Sequence, residues 1–444
     1  MQAFVPIART TFDMQLAQAN AALAQQTLQA AIADLRVVPT LITDSETLAQ
    51  AIAQLSAAPP GLIVVFQATF ADSSAIVALA EALRVPLLLW AAPEPATGGR
   101  LRSNALCGIN LAAFALKRRG LPYLCCYAAP DSPEAVRLAQ RAAAAAETLF
   151  ALRHTKIGVI GEHPIGFEPC AYDAERLRAR FGVQVQPYAL EAAFAAADSL
   201  LAAERVTARY ADLAAKLSNL TELNTAQVRG TLSFHEALRD QIAADDLRGV
   251  AVRCWPETFL KRDCAVCAAS SLLCDDGIPA TCEADVHGVL SGLLLQGVGA
   301  AATFGADLVA ADLENDTLTF WHCGLAPLSM CAPSFAPRGA LHSNRQRPLL
   351  MEFPLKAGRV TLARLTQAGE SGDYRLLLGT GEMLDAPMQF SGTSGVLRPD
   401  SGAAHALQVI LQEGLDHHFT LAYGDFADAL TLLADFAKLP IIRL

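Results

Sequence analysis

The stretch from Cys282 to Gly324, CEADVHGVLSGLLLQGVGAAATFGADLVAADLENDTLTFWHCG, alternates apolar runs with acids and histidines placed at their ends. The run IPATCEADVHG reads as a strand ending at the acidic pair Glu283 and Asp285. A helix follows, with Val286, Leu290, Leu293 and Leu294 on one face. A second apolar run, AATFGAD, closes on Asp307, 24 residues (307 − 283) after Glu283. Asn315-Asp316 then makes a hairpin turn whose second strand delivers His322. In open α/β sheets, ligands bind beyond the carboxyl ends of the strands. Glu283 is therefore expected in that crevice, near a helix N-terminus that favours its charge. Asp307 is expected to face the same crevice from a neighbouring strand. Capping the helix needs one acid only, and Asp285 is assigned to it.

The pattern on both sides extends this α/β texture. Upstream, FVPIAR, VVPTLIT, GLIVVFQ, VPLLLWAA, NALCGIN and PYLCCYAA are short apolar runs, separated in several places by helical patterns such as Gln15 to Leu35 and Ser73 to Leu83. Such alternation indicates a parallel sheet covered on both faces. A second unit begins at KIGVIG, Lys156 to Gly161. It continues through a helix over Asp173 to Arg180, the strand VQVQPYAL, helical segments over Leu190 to Leu217 and Glu222 to Ala244, and the strand GVAVRCW. From Pro333 the chain carries strand-like runs broken by Gly and Pro, which indicates an antiparallel β domain resembling a small barrel. The expected fold class is α/β, with two doubly wound, Rossmann-like parallel-sheet domains (1–153 and 154–332) followed by a β-rich domain (333–444). Glu283 and Asp307 fall in the second domain, and His418 in the third.

Bulk properties narrow the function. At 444 residues with 53% hydrophobic and 18% charged content, the chain is a folded protein of several domains. A net charge of −10 argues against nucleic acid as a partner. The start, MQAFVPIARTTFD, lacks the basic and apolar regions of a secretory signal, and no apolar run reaches bilayer-spanning length. A cytoplasmic protein is expected. The 11 cysteines read as free thiols. Cys264-x-x-Cys267, with Cys274 and Cys282 after it, offers one knuckle only, so buried free cysteines are favoured over structural zinc.

Two carboxylates and a neutral imidazole suit Mn²⁺ or a similar divalent ion and leave positions open for substrate oxygens. The histidine can come from His322 or from the distant His417-His418 pair.

These residues resemble the L-fucose isomerase and L-arabinose isomerase superfamily. Its pattern has a glutamate in A-T-E-N-D followed 24 residues later by the aspartate of F-A-D, and ATCEAD and FGAD keep that spacing here. The family's metal-binding histidine lies in a strand before a helix that ends in an aliphatic-proline step, and HHFTLAYGDFADALTLLADFAKLP is similar to that segment, which puts His418 in the ligand position. His322 in HCG is similar to a further metal-site histidine of the arabinose branch. CGINLAAFALKRRGLPYLCCYA resembles the family's first-domain segment. The chain lacks the polar, Arg-containing insertion after Asn110 and is shorter than the fucose enzymes, which sets it apart from them.

The resemblance implies an aldose–ketose isomerase acting on an open-chain monosaccharide through a cis-enediol. It assigns Glu283 and Asp307 as acid/base pair and metal ligands, His418 as ligand, and a homo-oligomer, trimer or hexamer. Arg9, Asn110, His163, Arg253 and Trp255 are further candidates for sugar contacts. A non-catalytic sugar-binding or regulatory protein on this scaffold, and an epimerase using the same site, are the competing readings.

Overall fold

The computed structural model describes residues 1–368 and 372–444. Strands β1 (Gln2–Ile7), β2 (Leu35–Val37), β3 (Leu62–Gln67), β4 (Leu87–Ala91) and β5 (Tyr123–Tyr127) form a parallel sheet in the order β2-β1-β3-β4-β5. β1, β3 and β4 are buried along their whole length, as a sheet sandwiched between helices requires. The accompanying helices are α1 (Met14–Ala31), α2 (Ser45–Ser56), α3 (Ser74–Leu83), α4 (Ala105–Arg119) and α5 (Pro133–Leu152). The run NALCGIN, grouped above with the strand-like segments, is instead the start of α4. Its continuation LAAFALKRR carries the apolar pattern on at helical spacing, three basic residues fill the last turn, and Gly120 closes the helix at φ 64°. Short apolar runs do not separate strand from helix by themselves.

β6 (Lys156–Ile160), β7 (Gln184–Tyr188), β8 (Gly249–Val252) and β9 (Ala280–Thr281) form a second parallel sheet, ordered β7-β6-β8-β9. Its helices are α6 (Ala174–Phe181), α7 (Leu190–Ser199), α8 (Glu204–Lys216), α9 (Thr225–Asp245), α10 (Glu257–Arg262), α11 (Cys267–Asp275) and α12 (Val286–Gly297). The single helical stretch expected over Leu190 to Leu217 is two helices, α7 and α8, parted at Leu200 to Ala203.

The remaining strands are β10 (Phe304–Asp312), β11 (Thr317–His322), β12 (Arg338–Ala340), β13 (Leu350–Pro354), β14 (Gly358–Ala368), β15 (Asp373–Met383), β16 (Thr393–Pro399), β17 (His418–Tyr423) and β18 (Ile441–Arg443), with α13 (Ala403–Gln412) and α14 (Ala427–Ala437) between them. Six close into an antiparallel barrel in the order β16-β11-β10-β17-β14-β15, completed by pairing of β15 with β16.

The strand of Asp307 therefore does not neighbour β9 in the parallel sheet. It is β10, hydrogen-bonded to β11 and β17 of the barrel. Phe304 and Ala306 alternate inward along it, the period-2 pattern of a half-buried antiparallel strand.

The chain separates into Met1–Phe150 with Thr431–Lys438, and Ala151–Leu430 with Leu439–Leu444. The expected boundary at 332/333 lies inside the second unit. Val250, Val252 and Cys282 of the parallel layer share one core with Phe304, Phe320, Phe353, Leu397 and Phe419 of the barrel.

A buried ion cluster fastens these two layers. Arg364 on β14 is 1% exposed. It donates to Asp285 Oδ2 (2.6 Å), Asp416 Oδ1 (2.8 Å) and the Pro169 carbonyl (3.2 Å). Asp285 is also the N-cap of α12, accepting from the Gly288 N–H at 2.9 Å. The guanidinium thus joins a barrel strand to the start of a helix. Arg364→Met would take the compensating guanidinium from two buried carboxylates and should cost about 3–5 kcal/mol, read as a lower urea midpoint. A change within about 0.5 kcal/mol, the range of ordinary surface substitutions, would show that the cluster does not fasten the layers.

Candidate metal centre

Glu283 and Ala284 lie between β9 and α12 in the left-handed region, at φ 58° and 56°. Two consecutive non-glycine residues there cost about 1–2 kcal/mol each, and the surroundings hold the turn. Ala284 N–H donates to the Val252 carbonyl (3.1 Å) and Asp285 N–H to that of Cys282 (3.1 Å). The turn leaves Asp285 to cap α12 and presents Glu283 on the opposite side. The Trp255 indole N–H, from the segment after β8, donates to Glu283 Oε1 at 3.1 Å.

The barrel supplies the other side. Asp307 on β10 and His418 on β17 are directly opposed residues of an antiparallel pair. His418 Nε2 lies 3.4 Å from Asp307 Oδ1 and 3.5 Å from Glu283 Oε2. Its Nδ1 meets Asp285 Oδ2 at 3.0 Å. With Nδ1–H donating to that carboxylate, the Nε2 lone pair is turned toward Glu283 and Asp307. A carboxylate behind a histidine is the usual way of fixing a ligating imidazole. Burial opposes the charge on Asp285, but Arg364 and His418 beside it hold the carboxyl well below the ordinary range.

His322, at the end of β11, completes a group with Asp307 and His418 in which one potential ligand atom from each lies within 4.8 Å of the others. Its Nδ1 accepts the Cys323 N–H at 2.8 Å, which puts the proton of the neutral ring on Nε2. Burial opposes a charge on this ring, while the Cys323 sulfur and then Asp307 push it up to about 10. The backbone N–H aimed at Nδ1 stands against a doubly protonated ring.

A second group overlaps the first and consists of Cys170, Glu283, His417 and His418. His417 Nε2 is 3.3 Å from Glu283 Oε2, a bond that raises its pKa against the effect of burial. Burial followed by the Asp285 and Glu283 charges pushes the Cys170 thiol far up, so it stays protonated. Phe167 stands edge-on to both Trp255 (5.4 Å) and His417 (5.8 Å) and walls the site.

The donor set fits a divalent cation. Among the described residues Asp307 Oδ1 is buried with no hydrogen-bond partner, and it points at the same space as Glu283 Oε2 and His418 Nε2.

Of the residues singled out in the sequence, Glu283, Asp307, His322 and His418 come together and Trp255 adjoins them. Arg253 is engaged elsewhere. Both Glu257 oxygens accept from it (2.7 and 2.9 Å), and it lines a separate 440 Å³ cavity with Glu162, Tyr188 and Lys261. His163 meets Arg253 through its backbone carbonyl at 3.4 Å, not through its ring. Arg9 and Asn110 belong to the first unit. Arg9 is exposed after β1, and Asn110 on α4 lines a 620 Å³ cavity with Glu94, Leu101 and Tyr127.

Two features were missed in the sequence, Cys170 and the second role of Asp285 behind His418, and His417, passed over there in favour of His418, also reaches Glu283. Of the cysteines considered for zinc, Cys267 and Cys282 lie in one buried thiol group with Cys254 and Cys323 (Cys282 to Cys254 2.7 Å, Cys267 to Cys323 3.6 Å, and Cys323 also hydrogen-bonded to Cys282). Among the described residues no hydrogen bond ties Cys264 or Cys274 to it, and all are free.

Burial opposes ionisation of Glu283, but His417, His418 and Trp255 together lower its pKa. Trp255→Phe removes a donor to the charged form, so the Glu283 pKa should rise in metal-free protein, followed by carboxyl ¹³C NMR against pH. An unmoved titration would show that the indole does not govern Glu283.

Residues 3–153 match the fucose/sulfoquinovose isomerase N-terminal domain, and residues 321–443 match the L-fucose isomerase C-terminal domain. A sulfoquinovose isomerase of Alkalicoccus urumqiensis is 32% identical over 442 residues, 99% of this chain and 98% of that protein. Sulfoquinovose isomerases of Priestia aryabhattai (437 residues) and Clostridium sp. strain MSTE9 (446 residues) are each 30% identical, over 98% of this chain and 97% of theirs.

Proposed function

We propose that this chain, which belongs to the fucose/sulfoquinovose isomerase family, uses Glu283, Asp307 and His418 for metal-dependent aldose–ketose isomerisation of sulfoquinovose. Membership of the family makes it a sugar isomerase. The observation that carries the residue assignment is the convergence of two carboxylates and one oriented imidazole, with a buried Asp307 oxygen that has no other partner among the described residues. Full-length similarity to sulfoquinovose isomerases supports the choice of sugar.

A divalent ion, Mn²⁺ in this reading, would be held by Glu283, Asp307 and His418, and when bound it stabilises charge developing on O1 and O2 of the open-chain sugar. The protein's own groups handle the protons. Glu283 and Asp307 flank one space, so one takes the C2 proton while the other serves the oxygens and C1, through a cis-enediol. His417, His418 and Trp255 keep Glu283 ionised, with Trp255 holding Oε1 and His417 beside the working oxygen Oε2. Asp285 keeps the proton of His418 on Nδ1. In this reading His322, with its proton on Nε2, faces the pocket as a donor to Asp307 or a sugar oxygen rather than as a metal ligand. Phe167 and Trp255 exclude water from one side.

We further place the protein in the cytoplasm, a reading supported by its free thiols. Assembly into a trimer or hexamer is supported by the apolar surface that α4 exposes at Leu106, Leu111 and Phe114. Among the described residues no helix is long and apolar enough to cross a membrane.

Metal-loaded protein incubated with sulfoquinovose in D₂O should exchange protons at C1 and C2 and form the ketose, and chelation should stop both. Glu283→Gln should slow exchange about 10²- to 10⁴-fold with circular dichroism unchanged; undiminished exchange in this variant would remove Glu283 from the chemistry. Asp285→Asn retains the cap acceptor but not the carboxylate behind His418. It should weaken Mn²⁺ binding about 10- to 100-fold in calorimetry on folded protein, and an unaltered Kd would sink that role.

A further inference from the structure

A sugar carrying a negative group at its far end needs a cation near a site that is itself acidic. The guanidiniums around the centre are nearly all spent. Arg364 is neutralised by Asp285 and Asp416, and Arg253 by both oxygens of Glu257. Arg347 pairs with Asp263, and Arg338 with Glu352.

Arg345 differs. It sits in the loop between β12 and β13, partly buried, with its guanidinium carbon 5.0 Å from the Trp255 ring centre and 5.1 Å from that of Phe259. Among the described residues its one polar side-chain contact is a long 3.5 Å approach to His342 Nε2, and no carboxylate meets it. Two aromatic rings flank it and shield it in part from water, which strengthens its attraction for an anion. The loop is fixed beneath it. Arg345 N–H and Gln346 N–H both donate to the His342 carbonyl (3.2 and 2.7 Å), and the buried His342 ring packs edge-on against Phe259 at 5.1 Å.

The position suits the far end of an open-chain sugar. Trp255 is the residue that bonds Glu283 (3.1 Å), so the guanidinium lies across one indole from the reacting end. Adding the half-width of the indole puts it at most about 10 Å from Glu283 Oε1. Five C–C bonds of about 1.5 Å extend about 6 Å, and a hydrogen bond of about 2.8 Å at each end brings the span to the same range.

We propose that Arg345, braced on Trp255 and Phe259, binds the tetrahedral oxyanion at C6 of the substrate and so determines specificity for an anionic sugar. This rests on the isomerase reading above for the placement of C1 and C2 at Glu283. A sulfonate and a phosphate monoester share the chemistry, with three oxygens able to accept a forked pair of N–H donors. The sulfonate is the ligand expected here.

The test separates binding from turnover. Calorimetry on metal-stripped protein should give sulfoquinovose a Kd that Arg345→Gln weakens about 10- to 100-fold, the range for charge-assisted hydrogen bonds. Arg345→Lys should retain part of the affinity. Arg347→Gln, in the same loop but paired with Asp263, should leave the Kd unchanged. In the metal-loaded enzyme, Arg345→Gln should raise KM for sulfoquinovose far more than it lowers kcat, narrowing the preference over glucose.

Equal Kd values for wild type and Arg345→Gln, no binding by the wild type, or equal losses for sulfoquinovose and glucose would each overturn the proposal. Arg345-dependent binding without proton exchange would uphold the subsite and reject the isomerase reading. An Arg345-dependent preference for glucose 6-phosphate over sulfoquinovose would uphold the subsite and replace the sugar.

Discussion

The contact on which most of the architecture turns is the buried pair of Arg364 with Asp285. A guanidinium without water demands compensation, and Asp285 and Asp416 supply it from the start of α12 and the entry to β17. Asp285 is thereby fixed in position and kept ionised. It can then cap α12 with one oxygen and hold His418 with the other. One carboxylate serves a helix terminus, a layer-to-layer clamp and the orientation of an imidazole. The left-handed turn at Glu283 and Ala284 follows from the same demand, since the chain must reverse sharply to give consecutive acids opposite directions.

Much of this was legible in the residues. Near-continuous apolar strands such as GLIVVFQ and VPLLLWAA required parallel sheets, and the turn chemistry of Asn315-Asp316 marked the hairpin from β10 to β11. Glu283 and Asp307 stood out because both close apolar runs of the same stretch, whereas His418 was named only through the resemblance of HHFTLAYGDFADALTLLADFAKLP to the family's segment. The parentage of Asp307 was not legible. An apolar run ending in an acid reads alike whether it joins a parallel sheet or a barrel, and the difference lies in partners more than 100 residues away in β17. NALCGIN misled for a related reason, because the helical period shows only beyond the apolar stretch.

The second role of Asp285 illustrates a different limit. A helix cap is a local pattern, readable from a few residues. The partner that gives the carboxylate its chemical task, His418, is set by tertiary packing alone, and so are Cys170 and Arg364. The same holds for Arg345, whose meaning comes from two aromatic neighbours and the lack of an acid, neither of which the loop sequence announces.

The opposed placement of Asp307 and His418 on β10 and β17 has a consequence for how the protein matures. Their strands are separated by most of the barrel in sequence and meet only when it closes, so the pair belongs to the slow, long-range part of folding. A cation held as proposed would have no half-built cradle to bind on the way and would enter only once the last staves are in place. It would then act as a lock on the finished barrel rather than a seed for it, and a chain nicked in the staves between them would lose the ion before it lost most of its helices.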